Sequence, residues 1–241
     1  MTLRPFGIGP LDDVLSEAIG RGHRRDPVAA RTGGPAGNAR LTAWVGLLLL
    51  LVIVGELVTL LDVTGLIGWH IGIGIAMTAL ALLKSGSTGW RIMRYYLGNP
   101  RYVAAGPPPI VLRTLGPLVI GSTLGVLGSG FALMAIGQRQ SETPWFSVLG
   151  QRISPVTVHQ VLFILFAVFT GLHLLARFVP ALRLAGRGPQ HGAAPYRVPG
   201  ELPRGAAVLA AVVASALAIV LLVPAAGDWH PGEHHRHAAR P

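Results

Sequence analysis

Cysteine is absent from the chain. That excludes disulfides, a thiolate haem ligand, cysteine-held iron–sulfur clusters and covalent haem attachment through C-x-x-C-H. Charge is scarce too. Only 12% of the 241 residues are charged, 51% are hydrophobic and the mean hydropathy is +0.55, the profile of a multi-span membrane protein. Acids are the rarer sign, 10 against 20 Lys and Arg. The surplus arginines flank apolar runs and form no stripe, so they read as a topology signal and no nucleic-acid partner is expected. No Rossmann glycine pattern is present and there is no room for a flavin domain, which excludes a self-contained NAD(P)H-driven reductase. The first forty residues lack an apolar core near their start and read as a disordered cytoplasmic tail without a cleaved signal.

Five runs are long enough to span a bilayer, at about 41–61, 63–83, 110–136, 155–176 and 206–223. Ser154-Pro155 is a helix start, with serine as the cap and proline at the first helical position. The expected organisation is a tail over 1–40, a four-span bundle over 41–180, a loop over 181–204, a fifth helix over 205–224 and a His-rich tail over 225–241. The second-to-third connection holds Lys84, Arg91, Arg94, Arg101 and Arg113 without an acid. The fourth-to-fifth connection holds five arginines against Glu201, and the N-terminal tail holds six. The other two connections carry little positive charge. The expectation is a multi-pass protein of the bacterial cytoplasmic membrane, N-terminus inside and C-terminus outside.

Within the fourth run, VTVHQVLFILFAVFTGLHLLAR (Val156–Arg177), His159 and His173 are fourteen residues apart. That is nearly four helical turns, so both project from one face, roughly 21 Å apart. The second and fourth runs are parallel, and His70 on the second falls at about the depth of His159. Two facing imidazoles at one depth suit the clamping of a haem b iron. Fourteen residues beyond His70, opposite His173, the chain has Lys84. An ammonium does not ligate iron, so Lys84 is expected to reach the inner surface and pair with phosphate or a haem propionate. One haem is expected, with two as the alternative. His173 is then a candidate for a quinone site, a hydrogen bond within the bundle or the remnant of a second haem site.

Two histidines at this spacing on the fourth span, facing a histidine on the second, resemble the four-helix membrane cytochromes b. These include cytochrome b561, the nickel–iron-hydrogenase cytochrome subunit and the ferric-reductase-like transmembrane proteins. The run LKSGSTGWRIMRYYLGNPRYVAAGPPP (Leu83–Pro109) resembles the inner loop of an actinobacterial branch of such proteins. The resemblance covers roughly residues 41–180 and departs from the di-haem pattern at Lys84. It implies an all-α, cytochrome-b-like four-helix transmembrane bundle, here with a fifth transmembrane helix, that passes electrons to or from quinone. It also implies a partner oxidoreductase subunit, plausibly containing molybdopterin or a metal.

Other residues carry weaker signals. Glu56 is an acid inside the first run, and a carboxyl in lipid suggests proton transfer to or from a quinol, or else a hydrogen bond to a neighbouring helix. Arg91 and Arg113 could hold haem propionates or anionic lipid, although topology alone accounts for them. Gly121 and Gly125 form a GxxxG step that ordinary helix packing explains. Trp90, Tyr95, Tyr96 and Trp145 read as interface anchors. The tail DWHPGEHHRHAARP (Asp228–Pro241) has a metal-binding composition without ordered spacing, and a solvated tail is the simpler reading. The competing function is a haem-free transporter in which Glu56, His70, His159 and His173 relay protons or bind a metal. A third reading is a haem-free membrane scaffold whose tails recruit partners.

Overall fold

The computed structural model describes residue 15 and residues 26–107, 110–186 and 198–229. The expected histidine cluster after Trp229 lies outside the described residues, as do residues 187–197 of the expected 181–204 loop. The chain is mostly helical: α1 Gly34–Thr59, α2 Ile67–Tyr96, α3 Pro100–Ala105, α4 Ile110–Glu142, α5 Pro155–Ala185 and α6 Glu201–Leu222. Short 3₁₀ turns follow α1 at Leu60–Asp62 and α6 at Val223–Trp229. Between α4 and α5 lies a hairpin of β1 Phe146–Val148 and β2 Gln151–Ile153. All five long helices are long and apolar enough to cross a membrane.

The helices overrun the apolar runs that announce them. Helix α2 begins at Ile67 and continues to Tyr96, so Lys84 stands inside the helix and not at its end. Gly98 ends it, with φ +72°, the Gly98 amide bonding the Tyr95 carbonyl and the Asn99 amide bonding that of Arg94. This 5→2 and 6→1 pairing is a Schellman closure, which needs a residue that tolerates the left-handed region. Pro100 then opens α3 at a position where its missing N–H is no loss. Helix α5 starts at Pro155 as expected. The Thr157 amide donates to Ser154 Oγ and the Ser154 amide to Thr157 Oγ1, both at 3.3 Å, a reciprocal cap of the orphan donors.

The chain divides into two compact units. The first comprises the described residues of Met1–Leu47, Lys84–Ile120 and Val168–Ala206. Its apolar centre is Leu112, Leu115 and Ala176 with Val119 and Phe169 against them. Residues 26–40, read from the sequence as part of a disordered tail, are ordered in this unit. Arg91 binds both carboxylate oxygens of Asp26, at 2.9 and 2.7 Å. Arg40, 7% exposed, donates to the carbonyls of Leu184 and Gly186 and to Glu201, so it satisfies carbonyls that the end of α5 leaves open. Arg204 does the same for Thr32, Val198 and Pro199. Arginines that the sequence offers as a topology signal thus have specific structural partners.

The second unit comprises the described residues of Leu48–Leu83, Gly121–Ala167 and Ala207–Pro241. Met77, Val126 and Phe166 form its centre, with Val52, Ile53, Leu127, Leu162 and Phe163 around them. Ser215 on α6 donates to the Ala76 carbonyl at 2.7 Å, which ties the fifth span to α2. Helical geometry in α4 breaks at Gly137, with φ +76°, where the apolar run also ends. Ser141, fully buried, then donates from Oγ to the Leu133 carbonyl at 3.4 Å. A straight helix would carry it about 12 Å onward, so the chain folds back on itself there.

Candidate functional site

The strongest cluster lies in the second unit, where α2 brings His70 and α5 brings His159 together. Their ring centres are 6.3 Å apart and the rings are perpendicular. Each ring is held through Nδ1. For His70 the partners are Glu56 Oε1 at 2.9 Å and Thr59 Oγ1 at 3.1 Å. The Thr59 hydroxyl gives its hydrogen to the Glu56 carbonyl, 2.6 Å away, so towards His70 it can only accept. The proton on His70 is therefore on Nδ1. For His159 the partner is Ser129 Oγ at 2.8 Å. Ser129 gives its own hydrogen to the Val126 carbonyl at 3.0 Å, and the same argument places the His159 proton on Nδ1. In its neutral form each ring then carries its acceptor lone pair on Nε2.

If a haem iron is bound here, His70 and His159 would be the residues to hold it. Metal–nitrogen bonds to imidazole are about 2 Å long, and a ring centre stands roughly 1 Å behind its nitrogen. Two rings sharing one ion then have centres about 6 Å apart. Among the described residues there is no group of three or more His, Cys, Asp or Glu side chains able to hold a bare metal ion. A haem brings ring nitrogens of its own and would need only two side-chain ligands from the protein, here His70 and His159.

Small residues let the backbone close around the pair. A Cβ at Gly130 would stand 3.4 Å from His159 Cε1, and one at Gly74 would stand 3.9 Å from Glu56 Oε1. The second Glu56 oxygen, Oε2, is buried and has no hydrogen-bond partner among the described residues. Glu56 therefore belongs to the His70 cluster as an orienting group with spare acceptor capacity.

The remaining site residues fall in the first unit. Lys84 donates from Nζ to the Thr42 carbonyl at 3.4 Å, beside Gly46, instead of reaching out to a headgroup. His173 stands on α5, four residues before Arg177. Its Nδ1 is buried and has no partner among the described residues. Arg91 is paired with Asp26, while Arg113 is exposed. Sequence reasoning missed Thr59 and Ser129. The signal was a hydroxyl three residues after Glu56, and another next to Gly130 on the third span. No family model, curated protein or solved structure matches the chain.

Proposed function

We propose that the protein is a b-type cytochrome subunit of a membrane, carrying electrons between a partner oxidoreductase and quinone through one haem b. The observation that carries this reading is the pairing of His70 with His159, their ring centres 6.3 Å apart and both Nδ1 atoms anchored. Haem supplies one-electron redox chemistry, and the protein supplies the ligands, the orientation and a low-dielectric slot. Glu56 and Thr59 hold His70 in the ligating tautomer and at a fixed ring angle, and Ser129 does so for His159. Gly130 gives His159 the room it needs. Lys84, a cation bound to a backbone carbonyl, is no partner ligand for His173, so the stoichiometry is one haem per chain. Assignment to the four-helix cytochrome b families, the partner enzyme, an N-terminus inside the cytoplasm and the quinone are parts of the same proposal.

A reduced-minus-oxidised visible spectrum with a pyridine haemochrome assay on purified protein tests it. The expected result is a b-type spectrum at one haem per chain, lost in His70→Ala and His159→Ala and kept in His173→Ala. Protein made with ample haem and binding none would overturn it in favour of a haem-free transporter.

A further inference from the structure

The hairpin between α4 and α5 has an apolar face that nothing in the described chain covers. Cross-strand pairing matches Phe146 with Ile153, Ser147 with Arg152 and Val148 with Gln151. Paired residues share a face and faces alternate along a strand, so Phe146, Val148, Gln151 and Ile153 stand on one side, Ser147 and Arg152 on the other. Phe146 is 54% exposed, Val148 48%, and the neighbouring Trp145 65%. At the turn, Leu149 and Gly150 both have positive φ, 48° and 79°, and leucine is an unusual residue for that region. Leu149 is 98% exposed. An isolated two-stranded hairpin is marginal in water, so an apolar face of this kind implies a surrounding that stabilises it.

We propose that this hairpin is an interfacial anchor, its Phe146–Val148 face seated in the headgroup–acyl boundary of a bilayer containing anionic lipid. Three observations carry it. The hairpin joins two helices that are each long and apolar enough to cross a membrane, and Ile153 is only two residues from the start of α5. The fold-back at Gly137, fixed by Ser141 on Leu133, returns the chain along α4, and the Trp145 amide closes the hairpin base on the Ile153 carbonyl at 2.8 Å. The hairpin therefore stays at the level where the two spans end. Arg139 and Arg152 are exposed there, as is Glu142, whose Oε1 accepts from Gln138 at 3.0 Å, so the cations outnumber the acid. A tryptophan, an apolar face and exposed cations at a span end are what an anionic interface attracts. The inference does not rest on the haem reading.

Because the chain has no cysteine, single substitutions give unique labelling sites. Phe146→Cys, Ser147→Cys, Val148→Cys and Arg152→Cys in the full chain would each carry a nitroxide label. The proteins are reconstituted in phosphatidylglycerol–phosphatidylcholine vesicles, and relaxation by oxygen and by a water-soluble nickel chelate is read by electron paramagnetic resonance. The expected result is an oxygen-to-nickel ratio several-fold higher at 146 and 148 than at 147 and 152, falling at 148 in pure phosphatidylcholine. Equal, nickel-accessible labels at all four positions would overturn the proposal. Immobile labels at 146 and 148, shielded from both agents, would also overturn it, because they would mean that protein covers this face. A ratio at 148 unchanged by lipid charge would overturn the requirement for anionic lipid.

Discussion

Both units hold a histidine from α5, and the two histidines have different surroundings. His159 gives its Nδ1 proton to Ser129 and faces a second imidazole whose own Nδ1 is fixed by Glu56 and Thr59. His173 has a buried Nδ1 without a partner among the described residues, and Arg177 follows it by four residues on α5. On the proposed reading, the difference teaches that the four-turn spacing alone would not make a haem site. A ligating imidazole needs a group behind it to set the tautomer and a second donor in front. A cation near an unanchored ring provides neither. The two histidines share a helix and a spacing rule, so substitutions at matched positions separate what each environment contributes.

The largest expected effect is at the ligands themselves. His70→Ala or His159→Ala abolishes the b-type spectrum, whereas His173→Ala leaves haem content at one per chain. A second experiment tries to convert the poorer environment into the better one. Lys84→His supplies the missing fourth histidine, fourteen residues after His70, and removes the cation. Pyridine haemochrome stoichiometry should then rise towards two haems per chain. If it stays at one with the original spectrum intact, the first unit lacks more than a ligand, and the unanchored Nδ1 of His173 is the next group to repair.

Next in size are the groups behind the rings. Ser129→Ala and Thr59→Val keep shape and remove an acceptor. Loss of such partners costs typically 10–100-fold in metal affinity, roughly 1.4–2.8 kcal/mol, and haem titration of the apoprotein measures it. Glu56→Gln retains an acceptor oxygen and removes the charge, so it should weaken haem binding less than Glu56→Ala does. If all of these variants bind haem like the parent, the rings are oriented by packing alone and the contrast between the units has another cause.

Much of this was legible from the chain. The five spans follow from apolar length, and the meeting of His70 with His159 from register along parallel helices. The start of α5 follows from Ser154-Pro155. What was not legible has physical reasons. Hydropathy marks only the residues that suit lipid, so it stopped α2 near Lys84, whereas the helix runs on until Gly98 and Asn99 close it. It likewise hid the ordered segment before residue 40, which is held by arginines on carbonyls and on Asp26. Thr59 and Ser129 are inconspicuous because a hydroxyl in a helix commonly bonds a carbonyl one turn back. Only the structure reveals that each also receives a histidine. The hairpin escaped because Leu149-Gly150 is a weak turn signal beside Asn-Gly or Asp-Gly.

The smallest effect sharpens the comparison most, because it changes no hydrogen bond. Gly130 lies beside His159, and an added Cβ would stand 3.4 Å from Cε1, so the ring must give by a few tenths of an ångström. No glycine on α4 stands in the same relation to His173: at Gly116 and Gly121 an added Cβ meets nothing within 4 Å. Gly130→Ala should therefore retain haem at one per chain while altering the angle between the two axial rings. That change is read as a shift in the low-spin electron paramagnetic resonance signal, with affinity reduced only a few-fold. Gly116→Ala and Gly121→Ala should leave both the signal and the affinity unchanged. If Gly130→Ala also leaves the signal unmoved, the bound ring does not occupy the position described here, and the 6.3 Å separation is not that of the liganded pair.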